Sequence, residues 1–503
     1  MAKNYYEIKA EAEFWLKDKL DEGRIVFDKS EIDLKIYNYL KSNSLLVDLY
    51  STYFFVKKDD INAFEAFKLY YWKIIIQFLN LRFSSDDNNP AWYLVGKYSY
   101  DFLIDKICIP NESEQITIQT KLKSNTTIKL FNEHMILAVQ DRNFEEKTVI
   151  KHNIFGDYIN ILKYEYMIIN SSKVQYELFE ANIVSYLKNK DFDFDYLMEY
   201  FKRHQAPVLL SRFIGALRQV DEKIQALKFE NLYREYGFKK AIENPFSKEY
   251  KLQKSSKPCF VTRFSLSMNQ SKEFLKSLEL PKRLKKSIDA NSIEKLSADD
   301  AYHSLTIEGY EVTKEIILKM QKGNEVDSDL KNKSATKGFL RVLDFVKQLL
   351  VIDYSFDQSL TEELWKNLWS PSINVGLFQH EVATYRNHMV SIKGSQSVPP
   401  AHEKIYYLLE EFYSHANDFD NGLEQGIFLH FYYVCINPHS DGNGRISRFL
   451  MNLAFIKDKY KWLTIPVFER KNYFAALEKS QVQDDISYFA NYIIDLYNKD
   501  IEL

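Results

Sequence analysis

The most informative hydrophobic pattern in the chain is a pair of apolar runs separated by a short polar turn. Residues 426–436 are apolar almost without interruption, and residues 449–455 are apolar except for Asn452. Together with residues 445–448, the second run is long enough to form a buried helix. The polar turn between the two runs therefore leads directly into the N-terminus of a helix.

This turn has the composition of an anion-binding loop. Gly442 and Gly444 allow successive backbone N–H groups to point into one concavity at the helix N-terminus, where the helix dipole favours negative charge. Arg445 and Arg448 are three residues apart, so both can reach one polyphosphate, and Asp441 offers an oxygen ligand for its Mg²⁺. The alternative is a type I′ hairpin turn, which Asp-Gly and Asn-Gly favour, but the flanking segments lack the alternation of strands.

The run from Asp441 to Arg448, D-G-N-G-R-I-S-R, resembles the second half of the Fic family signature, H-P-F-x-[D/E]-G-N-G-R-x-x-R. The resemblance continues at residues 385–400 and 465–478 and covers roughly the C-terminal half of the chain. It implies a multidomain protein with a mainly α-helical Fic fold, and the transfer of AMP from Mg²⁺-bound ATP to a protein hydroxyl. The nucleotide-binding residues that it implies are Gly442, Asn443, Gly444, Arg445, Arg448, Tyr473, Phe474 and Gln481.

The last three of these residues also have a simpler interpretation. Tyr473 and Phe474 correspond to the adenine pocket of the family, and Gln481 to a polar adenine contact. Without the resemblance, Tyr473, Phe474 and Leu477 form the apolar stripe of an amphipathic helix, and packing in the core stays open for each of them.

One residue departs from the signature at the catalytic position. The family has a general-base histidine where this chain has Asn437, and an amide has no basic lone pair near neutral pH. The loss of a general base typically lowers the rate by about 10² to 10⁴. His439 takes the place of a core aromatic and would have to turn out of the core to substitute. We therefore expect nucleotide binding to persist and AMP transfer to be lost or strongly reduced.

A second motif lies far upstream. The segment from Ser304 through Glu308 to Gly309 resembles the family's inhibitory motif, [S/T]-x-x-x-E-[G/N], whose glutamate pairs with the second signature arginine, here Arg448. A carboxylate and a phosphate compete for the same guanidinium, which makes self-inhibition plausible. The alternative is a helix C-cap, with Gly309 in the left-handed conformation.

Residues 381–394 are predicted to form a β-hairpin. In the family, such a flap holds the target protein by strand addition, and the flap residues implied here are Tyr385, Arg386, Val390 and Ile392. The alternative is an ordinary surface hairpin that covers the core.

The rest of the chain is predicted to contain further domains. The polar stretch at residues 241–258 indicates a linker. Helical patterns follow at 273–280, 301–308, 313–322 and 337–351. The N-terminal half is expected to be α+β, with a helix then two strands at 34–57, a helix at 98–107 and strands at 115–119, 126–130 and 134–139. The predicted domains are a winged-helix-like region at 1–90, an α+β domain at 91–250 similar to abortive-infection antitoxins or serving interaction, a helical inhibitory segment at 259–357 and the Fic domain at 358–498.

Composition limits the partners. The 503 residues carry a net charge of −3, so no global field favours nucleic acid or an anionic membrane, and DNA binding by the N-terminal region stays open. No apolar run reaches the ~20 residues of a membrane span. The absence of a signal region and the scattered Cys108, Cys259 and Cys435 favour the cytoplasm. The expected partner is a protein that presents a Ser, Thr or Tyr hydroxyl, with self-modification and homo-oligomerisation as further possibilities. Two functions stay open, an impaired AMP-transferase and a catalytically silent ATP-sensing or partner-binding protein.

Overall fold

The chain divides into two compact units, Met1–Phe260 and Val261–Leu503. The computed structural model describes residues 5–57, 61–83, 91–145, 148–154, 156–324, 326–378, 384–392 and 394–499. The border between the units lies just beyond the stretch predicted as a linker, and the finer domain limits within each unit stay a prediction. Within the described ranges, every helix is too short or too polar to cross a membrane.

The N-terminal unit begins with two helices and a small antiparallel sheet of three strands. Its elements are α1 (Tyr5–Asp21), β1 (Val26–Asp28), α2 (Leu34–Ser42), β2 (Leu46–Tyr50) and β3 (Tyr53–Val56), and the strand order is β1-β3-β2. Asp33 caps α2 by accepting a hydrogen bond from the backbone N–H of Lys35. The predicted helix followed by two strands is thus confirmed, whereas its interpretation as a winged helix stays a prediction.

A second, six-stranded sheet follows, with the order β7-β8-β6-β4-β10-β9. The remaining elements of this unit are α3 (Ala63–Leu69), α4 (Tyr71–Arg82), β4 (Trp92–Val95), α5 (Lys97–Leu103), β5 (Ile107–Cys108), β6 (Gln115–Thr120), β7 (Asn125–Lys129), β8 (Met135–Gln140), β9 (Val149–Ile154), β10 (Asp157–Leu162), α6 (Tyr164–Asn170), α7 (Lys173–Leu178), α8 (Glu180–Leu187), α9 (Phe194–Arg203), α10 (Pro207–Gln219) and α11 (Lys223–Glu235). The three predicted strands at 115–139 are confirmed, and so is the α+β class. The helix predicted at 98–107 is too long, because Asp105 has a left-handed φ of 57° just after α5 ends.

The C-terminal unit is mainly α-helical, as predicted. Its elements are α12 (Cys259–Lys276), α13 (Ala290–Ile307), α14 (Lys314–Gln321), α15 (Leu330–Leu349), α16 (Gln358–Asn374), β11 (Ser397–Val398), α17 (Ile405–Ala416), α18 (Gly422–Ile436), α19 (Asn443–Lys457), α20 (Arg470–Gln483) and α21 (Ser487–Asn498). For three of the four helices predicted in this unit, the observed helix begins earlier in the sequence than predicted. The start of α13 shows why: Asp289 caps it from a polar stretch in which the apolar periodicity is weak.

Helices α18 and α19 pack closely, and two glycines make this possible. A Cβ atom at Gly426 would lie 2.6 Å from the carbonyl oxygen of Met451, and one at Gly422 would collide with the carbonyl oxygen of Ala454. Since backbone atoms cannot move aside, larger residues at these positions would force the helices apart. The close packing fixes the polar turn, residues 437–442, that joins the two helices.

The predicted hairpin at 381–394 is wrong for the residues that the structure describes. Residues 384–392 have no strand, and so Val390 and Ile392 are not part of one; residues 381–383 and 393 lie outside the described ranges. The physical reason is Arg386, which is only 3% exposed. Its backbone N–H donates to the carbonyl oxygen of Pro438 at 2.9 Å, so this segment is bound to the turn after α18 instead of to a second strand.

Candidate functional site

The turn between α18 and α19 is held by its own side chains. Asn437 ends α18 in the left-handed conformation with a φ of 47°, and Gly442 precedes α19 with a φ of 83°. The Asn443 side chain accepts from the N–H of His439 at 3.1 Å and donates to its carbonyl oxygen at 2.7 Å. Asn443 therefore stabilises the loop with its side chain and offers only its backbone N–H to a ligand.

The N-terminus of α19 has the geometry that suits an anion. The first backbone hydrogen bond of this helix is donated by Ile446 to Gly442, so the N–H groups of residues 443–445 have no partner within the helix. A Cβ atom at Gly444 would lie 2.6 Å from the Oε1 atom of Glu308. A carboxylate thus lies directly against the first turn of α19, in space that only a glycine leaves open.

Arg445 is buried between two aromatic rings. It is 1% exposed, and its guanidinium carbon lies 5.1 Å from the ring centre of Tyr310 and 4.9 Å from that of Trp369. The Nη2 atom is 3.5 Å from Asp441, but neither Nε nor Nη2 has a hydrogen-bond partner among the described residues, and Trp369 Nε1 has none either. Buried donors without partners fit an anionic ligand such as a nucleotide phosphate.

Arg448 is held by hydrogen bonds to Ser304, Glu308 and Tyr473. Its Nε donates to the Ser304 hydroxyl at 2.9 Å, and its Nη2 donates to the Ser304 carbonyl at 3.3 Å and to Glu308 Oε1 at 2.7 Å. Its Nη1 donates to the Tyr473 hydroxyl at 3.4 Å. Burial alone would lower the pKa of Arg448, but Glu308 and Tyr473 outweigh burial and raise it.

The structure brings both interpretations of residues 304–309 together. Helix α13 ends at Ile307, Glu308 is its C-cap residue, and Gly309 follows with a φ of 87°. The same Glu308 binds Arg448, with 22% of its side chain exposed. The carboxylate that binds Arg448 therefore belongs to the C-cap residue of a helix, and the inhibitory role of this contact stays a prediction.

Polar contacts also hold α13 against Thr464 and against Arg470, the first residue of α20. Thr464 donates from its hydroxyl to Asp300 at 2.7 Å, and the Arg470 guanidinium donates to the Ile307 carbonyl at 2.9 Å. Asp300 is buried, and burial raises its pKa to about 6. Glu308 is thus positioned by a helix that is bound firmly at two points.

Asp441 is available to a metal ion. Its side chain is 50% exposed, while one oxygen accepts a hydrogen bond from the N–H of Gly442. The described part of the chain holds no cluster of three or more His, Cys, Asp or Glu side chains suited to a metal. A single exposed carboxylate suits a Mg²⁺ ion that is also bound by phosphate oxygens and water, which is the usual arrangement for nucleotide-bound magnesium.

The two candidates for a general base differ in their surroundings. Asn437 is half-buried at the end of α18. His439 is 4% exposed, its ring centre is 3.7 Å from that of Trp365, and its Nδ1 is 2.7 Å from the carbonyl oxygen of Thr384. Burial lowers the pKa of His439 to about 3. His439 thus occupies the place of a packed aromatic and is a poor proton acceptor.

Arg386, one of the four predicted flap residues, is buried and does not lie on a surface that could hold a target protein. Its guanidinium donates to the carbonyl oxygens of Asn437 at 2.8 Å, His388 at 3.0 Å and Pro400. It therefore faces the interior and cannot contact a target directly. Tyr385, Val390 and Ile392 are half-buried.

The predicted adenine-pocket residues also differ in exposure. Tyr473 is 1% exposed and reaches the site only through Arg448, whereas Phe474 is 38% exposed. Gln481 is half-buried, and its amide donates weakly to the sulfur of Cys435 at 3.8 Å. Tyr473 is packed in the core, and the roles of all three residues in binding adenine stay predictions.

Three residues of the site were missed from the sequence. Tyr310 and Trp369 enclose Arg445, and His430 lies 2.9 Å from the Tyr473 hydroxyl through its Nε2 atom. The four-residue spacing of Trp365 and Trp369 on α16 indicated a buried helix face and could have drawn attention to Trp369. Nothing in the apolar run that contains His430 distinguishes it from a core residue.

Comparisons with known proteins agree on this part of the chain. The model of the Fic/DOC family matches residues 360–455. "Protein adenylyltransferase Fic" of Drosophila willistoni is 30% identical over 127 residues, which are 24% of this chain and 25% of that protein. The protein of the same name from Drosophila persimilis is 29% identical over 127 residues, 24% of each chain. The match thus spans about a quarter of the length of these curated relatives.

Two of the solved structures similar to this chain are Fic proteins with low TM-scores. A Fic domain containing signaling protein from Bacteroides thetaiotaomicron is 20% identical, covers 46% of this chain and 93% of its own, and has a TM-score of 0.36. Fic-1 from C. elegans is 16% identical, covers 66% of this chain and 90% of its own, and has a TM-score of 0.34.

Proposed function

The chain belongs to the Fic family, and from that premise we propose that it binds ATP with Mg²⁺ at the N-terminus of α19. The observation that supports this most directly is a set of buried donors beside the turn that have no hydrogen-bond partner among the described residues, namely Nε and Nη2 of Arg445 and Nε1 of Trp369. Residues 443–445 would provide the backbone N–H groups, Asp441 the metal ligand and Arg448 a further cation. Magnesium, when bound, would neutralise part of the phosphate charge.

The activity that we assign to the family site is AMP transfer to a protein hydroxyl. The hydroxyl oxygen forms a bond to the α-phosphorus, the bond to pyrophosphate breaks, and the hydroxyl proton passes to a base. Asn437 stands at the position of that base and cannot accept the proton at neutral pH. His439 is packed against Trp365 and accepts protons poorly. The unaltered chain is therefore expected to transfer AMP weakly or not at all.

We further propose that Glu308 restrains the site in the resting state. Its carboxylate binds Arg448 at 2.7 Å and occupies the space beside Gly444. A γ-phosphate that sought the same guanidinium would have to displace it. This contact lies within one chain, so the inhibition needs no partner protein.

The experiment measures intact mass after incubation with Mg²⁺ and ATP. The variants are the unaltered chain, Asn437→His, and Asn437→His combined with Glu308→Ala; Ser440→His adds an imidazole at an exposed position of the same turn as a control. We expect the mass of one AMP to be gained only by chains with Asn437→His, and more by the double variant. A gain by the unaltered chain would contradict the assignment of Asn437.

The second candidate function is a catalytically silent protein that senses ATP or holds a partner, and Asn437 is again the observation that favours it. In that case the double variant would bind ATP but gain no mass, with or without an added target protein. Calorimetry on the same samples separates this outcome from a failure to bind nucleotide at all.

A further inference from the structure

Three of the four hydrogen bonds that Arg448 forms with described residues are made to one helix and its end. The Ser304 hydroxyl, the Ser304 carbonyl and the Glu308 carboxylate all belong to α13 and its C-cap residue. The fourth contact is the Tyr473 hydroxyl on α20. When Glu308 is displaced, Tyr473 is therefore the partner of Arg448 that does not depend on α13.

The direction of the hydrogen bonds follows from chemistry. A guanidinium can only donate, so the Tyr473 oxygen accepts from Arg448 Nη1. The Tyr473 hydroxyl proton then needs an acceptor, and His430 Nε2 lies 2.9 Å away. Because Nε2 accepts, the imidazole is neutral with its proton on Nδ1. Burial and the nearby Arg448 lower the pKa of His430 well below its ordinary value, in agreement with a neutral ring.

The environment of His430 makes a purely structural role unfavourable. The residue is 0% exposed, its ring packs against Phe489 at 4.7 Å, and its Nδ1 has no hydrogen-bond partner among the described residues. A buried N–H without a partner costs stability, so an aliphatic side chain would suit this position better if packing were all that mattered. The gain that offsets this cost is the orientation of Tyr473.

We propose that His430 and Tyr473 form a positioning relay that keeps Arg448 directed at the γ-phosphate when Glu308 is displaced. This inference rests on the proposed function, because it assumes that Arg448 binds the γ-phosphate. Neither residue of the relay touches the reacting atoms. Their effect is to keep a long, flexible side chain in one rotamer, so that no ordering is required when the phosphate arrives.

The test compares the affinities for ATP and ADP by calorimetry, with Glu308→Ala as the background. Holding one flexible side chain in place is worth about three- to tenfold in affinity. We therefore expect His430→Leu and Tyr473→Phe to lower the ratio of ATP to ADP affinity about three- to tenfold, through ATP alone. His430→Gln, which keeps an acceptor near the position of Nε2, should restore most of the ratio.

Phe489→Leu is the matched control, because it disturbs the packing beside His430 but removes no hydrogen bond. We expect it to leave the affinity ratio unchanged. An equal loss of ATP and ADP affinity in His430→Leu would assign His430 a structural role and overturn the relay, as would an unchanged ratio in Tyr473→Phe. If the background variant itself binds no ATP, the proposed function fails instead, and the two failures are thus distinguishable.

Discussion

Replacing Glu308 with alanine removes the carboxylate that binds Arg448 and tests whether this contact inhibits the site. The Arg448 side chain is 7% exposed and that of Glu308 is 22% exposed, so the pair is largely shielded from water. Removing one partner of a fully buried pair costs about 3–5 kcal/mol. Since Arg448 keeps Ser304 and Tyr473 as partners, we expect a smaller loss, about 2 kcal/mol of unfolding free energy without nucleotide.

The same change should increase the affinity for ATP. A hydrogen bond between Arg448 and a charged γ-phosphate contributes about 1.5–3 kcal/mol. At 1.4 kcal/mol per factor of ten, ATP should bind about ten- to a hundredfold more tightly to Glu308→Ala than to the unaltered chain. ADP, which lacks the γ-phosphate, should bind about equally well to both. ATP should therefore restore the thermal stability of the variant more than ADP does at equal concentration.

The assay combines calorimetry with thermal unfolding in the presence of Mg²⁺ and each nucleotide. Glu311→Ala is the control, because it removes an exposed carboxylate three residues away. We expect that control to behave like the unaltered chain. If Glu308→Ala gained the same affinity for ADP as for ATP, Arg448 would not distinguish the γ-phosphate. If it gained neither, residues 304–309 would be only a capped helix end.

Four further outcomes are expected. Asn437→His should allow AMP transfer, measured as a gain in intact mass, and no gain even with Glu308 replaced would favour a silent binding protein. His439→Phe should leave ATP affinity unchanged in calorimetry. Because His439 has a depressed pKa, its contribution to the stability of the fold is complete above about pH 6.5 and declines as the pH falls towards 3. The variant should therefore lose less stability in acid than the unaltered chain. Asp300 has a raised pKa of about 6, so its protonated form favours folding at low pH, and this effect is lost as the pH rises from about 4 to 6. In denaturant unfolding, Asp300→Asn should be more stable than the unaltered chain at pH 7 by on the order of 3 kcal/mol. At pH 4 the two should be about equally stable. Arg386→Lys should lower the melting temperature and fail to replace arginine, because one ammonium cannot point at three carbonyl oxygens as the guanidinium does; a melting temperature equal to that of the unaltered chain would refute this account.

The local structure of the turn could be predicted because its determinants lie next to each other in sequence. Gly442 directly precedes α19, which begins at Asn443, and Gly444 lies in its first turn. The contact between Glu308 and Arg448 joins residues 140 positions apart, and only the resemblance to a family motif indicated it. Periodicity contains no information about such a pair.

The position of Arg386 could not be predicted in the same way. Alternation at Val390 and Ile392 suggested a strand, but alternation reports only which side chains share a face. A buried cation that is satisfied by three carbonyl groups leaves no periodic pattern, because backbone acceptors have no sequence identity. The rings around Arg445 escaped prediction for a related reason, since Tyr310 and Trp369 come from separate segments that meet only in the folded unit.

The space beside Gly444 has a consequence for how this protein can evolve. A Cβ atom at position 444 would lie 2.6 Å from the Oε1 atom of Glu308, so a larger residue there would require the carboxylate to move. The same residue would narrow the space at the N-terminus of α19, where we propose that the phosphates bind. A mutation at position 444 would therefore alter the contact with Glu308 and the proposed phosphate site together. A mutation of Glu308 would alter the contact alone and leave the turn intact, so the two properties can evolve separately only through Glu308.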